Sequence, residues 1–278
     1  MATGSSAGSD YVLGSSEREQ ERLLKQAAIL RGWTERFFRS AGLRPGMRVL
    51  DVGCGMGDVS FLAAAMVSPG GSVVAIDHDP AVLQRAGERA VQQPHGQCVS
   101  FLNSSLSEFR NDQPFDAVVG RLVLLHQPDP ALALRQAAVH VQPGGIVIFH
   151  EMDFDHVFPM WPALPLFERT RFLVAEVFRR TGYHPDLGRR LVRTFLDAGL
   201  PWPTVQAELP VGGDSGSYLY GWLADVVRTL LPRMEQIGLT TSDELQIDTL
   251  AARLEAEAKS SGTQVIGPAQ FGAWVSKP

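Results

Sequence analysis

Val49-Leu50-Asp51-Val52-Gly53-Cys54-Gly55-Met56-Gly57-Asp58 decides how the rest of this chain is read. A short apolar strand runs into three glycines spaced GxGxG, and Asp58 can start a helix. Glycines at such a turn let the backbone bend sharply and let a ligand come close. Outward from this segment the chain keeps one rhythm. Strands are expected at 48–52, 72–76, 98–102, 115–119 and 146–150. Helices are expected at 58–67, 79–92 and 130–141, two of them opened by Asp79-Pro80 and Asp129-Pro130, a cap followed by a first-turn proline. Apolar strands alternating with helices call for a parallel sheet covered on both faces.

Asp77 ends the second strand, twenty residues after Gly57. A carboxylate there can accept from both ribose hydroxyls of a nucleoside. Dinucleotide folds use GxGxxG with pyrophosphate on the helix N-terminus. Here Asp58 stands at the third glycine's place and would repel a phosphate, which disfavours an NAD oxidoreductase. Asp51 offers negative charge for an ammonium or sulfonium group.

Residues 47–151 resemble class I S-adenosylmethionine-dependent methyltransferases, the ubiquinone/menaquinone-biosynthesis and small-molecule (natural-product) enzymes among them. The resemblance is carried by VLDVGCGMGDVS (49–60), VVAIDHDPAVL (73–83), FDAVVGRLVLLHQPDP (115–130) and VQPGGIVIFHE (141–151). It implies an α/β, Rossmann-like seven-stranded methyltransferase sheet with helices on both faces, plus an N-terminal helix and helical lid insertions. The last strand would be antiparallel, with 264–275 the candidate. The implied cofactor is S-adenosyl-L-methionine, and its product S-adenosyl-L-homocysteine. Its implied contacts are Gly53, Cys54 and Gly55 along the methionine and ribose part, with Asp51 near the amino group. Asp77 would hold the ribose, with His78 beside the adenine and Ser105 and Leu106 at the loop after the third strand. Arg121 would touch the methionine end. Ser105 stands where the family often has an aspartate, a weaker acceptor in its place. Tyr11 and Gln26 belong to an N-terminal stretch that also resembles these enzymes.

Residues 1–41 read as a mobile tail and a cover helix, with a capping box at Ser16–Glu19 and an apolar face of Leu23, Leu24, Ala27, Leu30, Trp33, Phe37 and Phe38. Residues 42–151 form the cofactor core. Residues 152–278 hold the rest of the sheet and two lid insertions, about 152–185 and 210–262. Helices are expected at 167–180, 188–198 and through 217–260, and a strand at 205–209. The insertions are rich in aromatics, and Phe158, Trp161, Phe172, Tyr218 and Trp222 are the candidates to face an acceptor. His126, His150, His156 and Glu151 are the candidates for a general base, with Asp153 beside them.

Composition bounds the rest. The chain has 278 residues, 45% hydrophobic and 20% charged, with net charge −5. That suits a globular enzyme, and nucleic acid is not an expected partner. Only Cys54 and Cys98 are thiols, too few for a disulfide framework, and no zinc spacing occurs, so no metal is expected. No apolar run is long enough for a bilayer, so no membrane partner is expected and the setting is read as cytoplasmic. A homo-oligomer through the N-terminal helix or lid is open at this point. The reaction expected is methyl transfer to a hydrophobic small molecule in secondary-metabolite or quinone-like biosynthesis. A rearrangement or cyclisation on the same scaffold, or a protein or RNA methyltransferase, are the alternatives.

Overall fold

The computed structural model describes residues 17–155 and 158–278. Ser16, Tyr11 and His156, on which a cap, a cofactor contact and a base were placed, lie outside the described residues. Helix α1 (Glu17–Ala41) ends at Gly42, where φ is +96° and the Gly42 amide donates to Arg39 O. That is the left-handed C-cap glycine read from the sequence. Strand β1 (Arg48–Val52), α2 (Asp58–Val67), β2 (Ser72–Asp77), α3 (Pro80–Ala90), β3 (Val99–Asn103), β4 (Phe115–Arg121), α4 (Pro130–Val139) and β5 (Val141–Asp153) then alternate. Both Asp-Pro starts work as expected. Asp79 Oδ1 accepts from the Ala81 and Val82 amides, and Asp129 Oδ1 from the Leu132 amide.

After β5 come α5 (Pro165–Arg180), α6 (Leu187–Asp197), β6 (Thr204–Glu208), β7 (Val211–Gly212), α7 (Tyr218–Gln236), α8 (Ser242–Leu245), α9 (Leu250–Ser261), β8 (Val265–Ile266) and β9 (Ala269–Ser276). Seven strands form one sheet in the order β3-β2-β1-β4-β5-β9-β6, and β7 and β8 form a two-stranded ribbon. The pairs from β3 to β5 are parallel. β9 runs antiparallel to both β5 and β6, as the resemblance implied. The chain winds outward from β1 to β3 and returns to β4 on the other side. The strand order therefore reverses between β1 and β4, where open α/β sheets bind ligands at the carboxyl ends.

β5 is longer than the expected 146–150. Pro143-Gly144-Gly145 reads as a turn, yet it lies within the strand at a register shift between Phe115 and Ala117. Gly145 is needed there, because a Cβ would lie 2.5 Å from Val141 Cγ1 and 2.7 Å from Asp116 O. The core on one face of the sheet joins Phe37, Phe38, Val49, Leu62, Val67, Val119 and Ile148. Burying such side chains stabilises the fold by about 1.5–3 kcal/mol each. Of the apolar face foreseen on α1, Leu24 is turned outward, 38% exposed.

The described chain divides into two compact units. One holds residues 27–155, 158, 182–211 and 266–278, which is the sheet with its covering helices. The other holds residues 17–26, 159–181 and 212–265 and is helical, with α5, α7 and α9 packed on one another. In it Glu257 on α9 accepts from the Leu166 and Phe167 amides and so caps the start of α5. Gln26 Oε1 accepts from Arg22 Nη1 (2.9 Å) and Trp222 Nε1 (3.3 Å).

Candidate functional site

The glycine loop closes the space beyond β1 with three left-handed residues, Gly53 (φ +62°), Gly55 (φ +53°) and Gly57 (φ +84°). They serve different ends. A Cβ on Gly53 would lie 2.9 Å from Val123 Cγ2, so the loop after β1 presses against the turn after β4. A Cβ on Gly55 would meet nothing within 4 Å, so this backbone faces open space that a ligand can approach.

Asp77 stands at the end of β2 beside that loop. Its Oδ2 accepts from the Gly55 amide at 2.9 Å and its Oδ1 from the Asp79 amide at 3.0 Å. Each oxygen keeps a further lone pair for a hydroxyl. His78 Nδ1 lies 3.3 Å from Asp77 Oδ1, and its ring is largely exposed. Ser105 Oγ donates to Glu108 Oε2 at 2.6 Å, which commits its one proton and leaves it an acceptor. Leu106 is half-buried beside it. The Cys54 thiol is buried. Burial first, then the Asp51 and Asp77 charges, push it upward, so it stays protonated and is no nucleophile.

Asp51 is 1% exposed, and Ser60 Oγ donates to its Oδ2 at 2.5 Å. Its Oδ1 has no partner. Burial raises the carboxyl to about 7, against the Ser60 bond and the Arg121 charge. A buried carboxyl oxygen left open is the kind of group that an ammonium satisfies. Arg121 ends β4 and donates to Thr34 Oγ1 at 3.3 Å. Burial lowers its guanidinium, while Asp58 and Asp51 raise it.

Asp58 does not present a bare charge at the start of α2. Arg89 Nη2 lies 2.8 Å from its Oδ1 and Arg89 Nη1 3.3 Å from its Oδ2, and Arg89 also donates to Met56 O. The glycine spacing, not the Asp58 charge, separates this loop from a pyrophosphate-binding one.

The base candidates fare unequally. His150 is fully buried between Thr34 Oγ1 (3.0 Å from Nδ1) and Gln270 Oε1 (3.1 Å from Nε2). Gln270 Nε2 donates to Pro268 O, which turns its carbonyl to the imidazole and puts the ring proton on Nε2. Burial and the nearby Arg121 lower His150 to about 3. It is a neutral framework group with both nitrogens engaged, contrary to a base role. Glu151, also fully buried, accepts through Oε1 from the Val123 (3.0 Å) and Leu124 (2.8 Å) amides. Its accepting oxygen is spent on two backbone amides, and its Oε2 has no partner. Asp153 is buried 3.6 Å from Arg189. His126 closes a short turn after β4 and stands edge-on to Tyr183, ring centroids 5.2 Å apart. Its half-buried ring leaves it the base candidate among the described residues.

Sequence reasoning missed Thr34, Arg89 and Gln270, because each acts through a partner far along the chain, and Ser60, whose partner Asp51 is only nine residues away. Of the acceptor candidates, Trp161 is 91% exposed and Phe172 56%, with Phe158 and Tyr218 also exposed and Trp222 tied to Gln26.

A reversing parallel sheet, a GxGxG loop at the reversal and an acid at the end of β2 define a nucleoside-binding α/β domain. Residues 43–178 match the methyltransferase domain family. That stretch, just under half of the chain, is similar to a methyltransferase domain. The chain is 35% identical over 167 residues to an uncharacterized 37.1 kDa protein in a transposon of Streptomyces fradiae, covering 58% of this chain and 46% of that one. It is 40% identical over 110 residues to a ubiquinone biosynthesis O-methyltransferase of Alkalilimnicola ehrlichii, covering 39% of this chain and 42% of that one. The chain thus spans less than half the length of these relatives. A solved chain from Bacillus halodurans C-125 shares the fold with TM-score 0.59 and 16% identity, covering 88% of this chain and 98% of that one. The open Asp51 Oδ1 and the clear space at Gly55 fit the amino-acid and nucleoside parts of the cofactor.

Proposed function

We propose that this protein moves the methyl group of S-adenosylmethionine to a hydrophobic small molecule, with a quinone-like phenol as the leading acceptor class. The observation that carries the donor half is the Gly53–Gly57 loop lying against Asp77 with the open Asp51 oxygen behind it. The relative named for ubiquinone biosynthesis supports the acceptor class. When bound, the cofactor supplies a sulfonium methyl open to in-line displacement. Asp77 accepts from the ribose hydroxyls, and Asp51 Oδ1 accepts from the ammonium. Ser105 and His78 border the adenine, and Arg121 balances negative charge at the methionine end. His126 takes the acceptor's proton where one must leave. Most of the rate would come from alignment in a water-poor site.

The acceptor contacts are proposed on Phe158, Trp161, Phe172, Tyr218 and Trp222, whose aromatic surface suits an apolar ligand. Two free thiols suit a reducing, cytoplasmic setting, and no described helix is long and apolar enough to cross a membrane. The net charge of −5 supports a small molecule over nucleic acid as partner. Self-association through α1 or the lid insertions is part of this proposal.

The test is incubation with methyl-labelled cofactor and pools of phenolic, quinol and amine acceptors. Label in a phenolic product with equimolar S-adenosylhomocysteine is the expected result. Binding of cofactor with turnover of a candidate substrate and no S-adenosylhomocysteine would instead identify a rearrangement or cyclisation catalyst.

A further inference from the structure

The turn after β4 is held in a conformation its residues do not favour. Leu122 has φ +55°, a left-handed backbone on a side chain that is not glycine. Such a residue costs about 1–2 kcal/mol and persists only where its surroundings over-determine it. The surroundings here are two consecutive residues of β5. His150 O accepts from the Leu122 amide at 2.9 Å, and Glu151 Oε1 accepts from the Val123 and Leu124 amides. Leu122 in the left-handed region followed by Val123 in the right-handed one (φ −105°, ψ −48°) aims successive amides into a common concavity. Such a nest receives an electron-rich oxygen. Glu151 fills it from within the fold.

The turn so held bears on the donor loop. Val123 Cγ2 would lie 2.9 Å from a Cβ on Gly53, so the two loops meet with no room for a side chain at that position. Arg121 lies one residue before the strained position. Burial, rather than a charged neighbour, sets the Glu151 carboxyl. Its ordinary value is raised to about 8 by burial alone, against the backbone bonds, and its Oε2 has no partner.

We infer that Glu151 is a positioning residue for the donor site: its side chain fills the backbone nest after β4, sustains the left-handed Leu122, and thereby sets Val123 against the Gly53 loop. It is no catalytic base, since the oxygen that accepts is spent on amides. The inference rests on the donor-binding reading above and deepens it. Glutamine reproduces both the carboxyl's shape and its accepting oxygen. Alanine reproduces neither.

The experiment measures S-adenosylhomocysteine binding by calorimetry on the full chain, with thermal unfolding recorded for every variant. Wild type binds. Glu151→Gln stays within about threefold, and Glu151→Ala weakens binding by at least tenfold. The second site supplies the readout that a general loss of stability would not give. Leu122→Gly adopts φ +55° without strain. The double variant Glu151→Ala/Leu122→Gly should therefore recover at least threefold of the lost affinity, although glycine lowers stability elsewhere. Should Glu151→Ala fail to fold, Glu151→Met fills the volume without an acceptor and takes its place. A folded Glu151→Ala with wild-type affinity, a Glu151→Gln as weak as alanine, or a double variant no better than the single one overturns the inference while leaving the donor reading intact. Absence of binding by wild type overturns both.

Discussion

Asp58 and Arg89 meet at two points, 2.8 and 3.3 Å, across 31 residues of chain. The pair ties the first turn of α2 to the last turn of α3, and the Arg89 bond to Met56 O adds the glycine loop to the same clamp. Both side chains are 26% exposed, so solvent screens the attraction. Arg89→Met should cost about 0.5–1 kcal/mol. In a chain of this size that is a fall of roughly 1–4 °C in melting temperature. A double-mutant cycle with Asp58→Asn checks it. A coupling of zero would mean that the pair is geometry without energy.

Asp77 carries two duties, holding the Gly55 amide and accepting from a ribose. Asp77→Ala removes charge-assisted bonds of about 1.5–3 kcal/mol. S-adenosylhomocysteine should bind roughly tenfold to a hundredfold more weakly. NAD should not bind either protein. Calorimetry at fixed pH checks both statements, and tighter binding of NAD than of S-adenosylhomocysteine would refute the donor assignment.

The buried acids make stability depend on pH. Asp51 at about 7 and Glu151 at about 8 sit above their ordinary values of 3.8 and 4.5. Between those limits the unfolded chain has released protons that the folded chain retains. Their contribution is therefore whole below about pH 4 and is lost as pH rises through 7 and 8. His150 works at the other end. Its value of about 3 against 6.5 means that the unfolded chain takes up a proton first, so stability falls as pH drops below 6.5. Melting temperatures across pH 4–9 should fall less steeply between about pH 4.5 and 8 in Glu151→Gln, and an unchanged slope would remove Glu151 from the account.

Asp51 gives a second titration. If its open oxygen meets an ammonium, binding ionises it. Near pH 6 the protein should then release protons on binding S-adenosylhomocysteine, seen as heats that change with the buffer's ionisation enthalpy. Asp51→Asn should abolish that dependence.

The exposed aromatics separate donor from acceptor. Trp161→Ala and Phe172→Ala should leave melting temperature and S-adenosylhomocysteine affinity nearly unchanged, because these rings are 91% and 56% exposed. Turnover with an acceptor found in the labelled-methyl screen should fall. Loss of donor affinity instead would mean that these residues cover the cofactor.

Much of the sheet was legible because its signals are local. Buried parallel strands are short apolar runs, and Asp-Pro pairs mark helix starts within three residues. The glycine loop and Asp77 were legible for the same reason. What escaped depends on distant partners. His150 reads as a catalytic imidazole until Thr34, 116 residues away, and Gln270, 120 residues away, occupy its nitrogens. Asp58 reads as a lone charge until Arg89 meets it. Glu151 reads as a base until the turn after β4 takes its oxygen, and that turn's left-handed Leu122 has no sequence signal, since leucine rarely adopts it. β5 begins before its expected start because Gly144 and Gly145 mark turns and bulges alike.

The placing of β9 sets the order in which the molecule can be completed. Residues 269–276 are the last strand in chain order, yet they lie between β5 and β6 rather than at a margin. A chain stopped before residue 269 would leave the backbone groups of β5 along one side unpaired and β6 without any neighbour. During synthesis the first five strands can assemble as they emerge, but they wait with an open apolar flank until these eight residues arrive. That interval is when another nascent copy could add itself to β5, the hazard that unpaired strand edges carry. Substitutions that weaken β9 should therefore appear first as lower soluble yield, before any loss is seen in the purified protein's affinity for its donor.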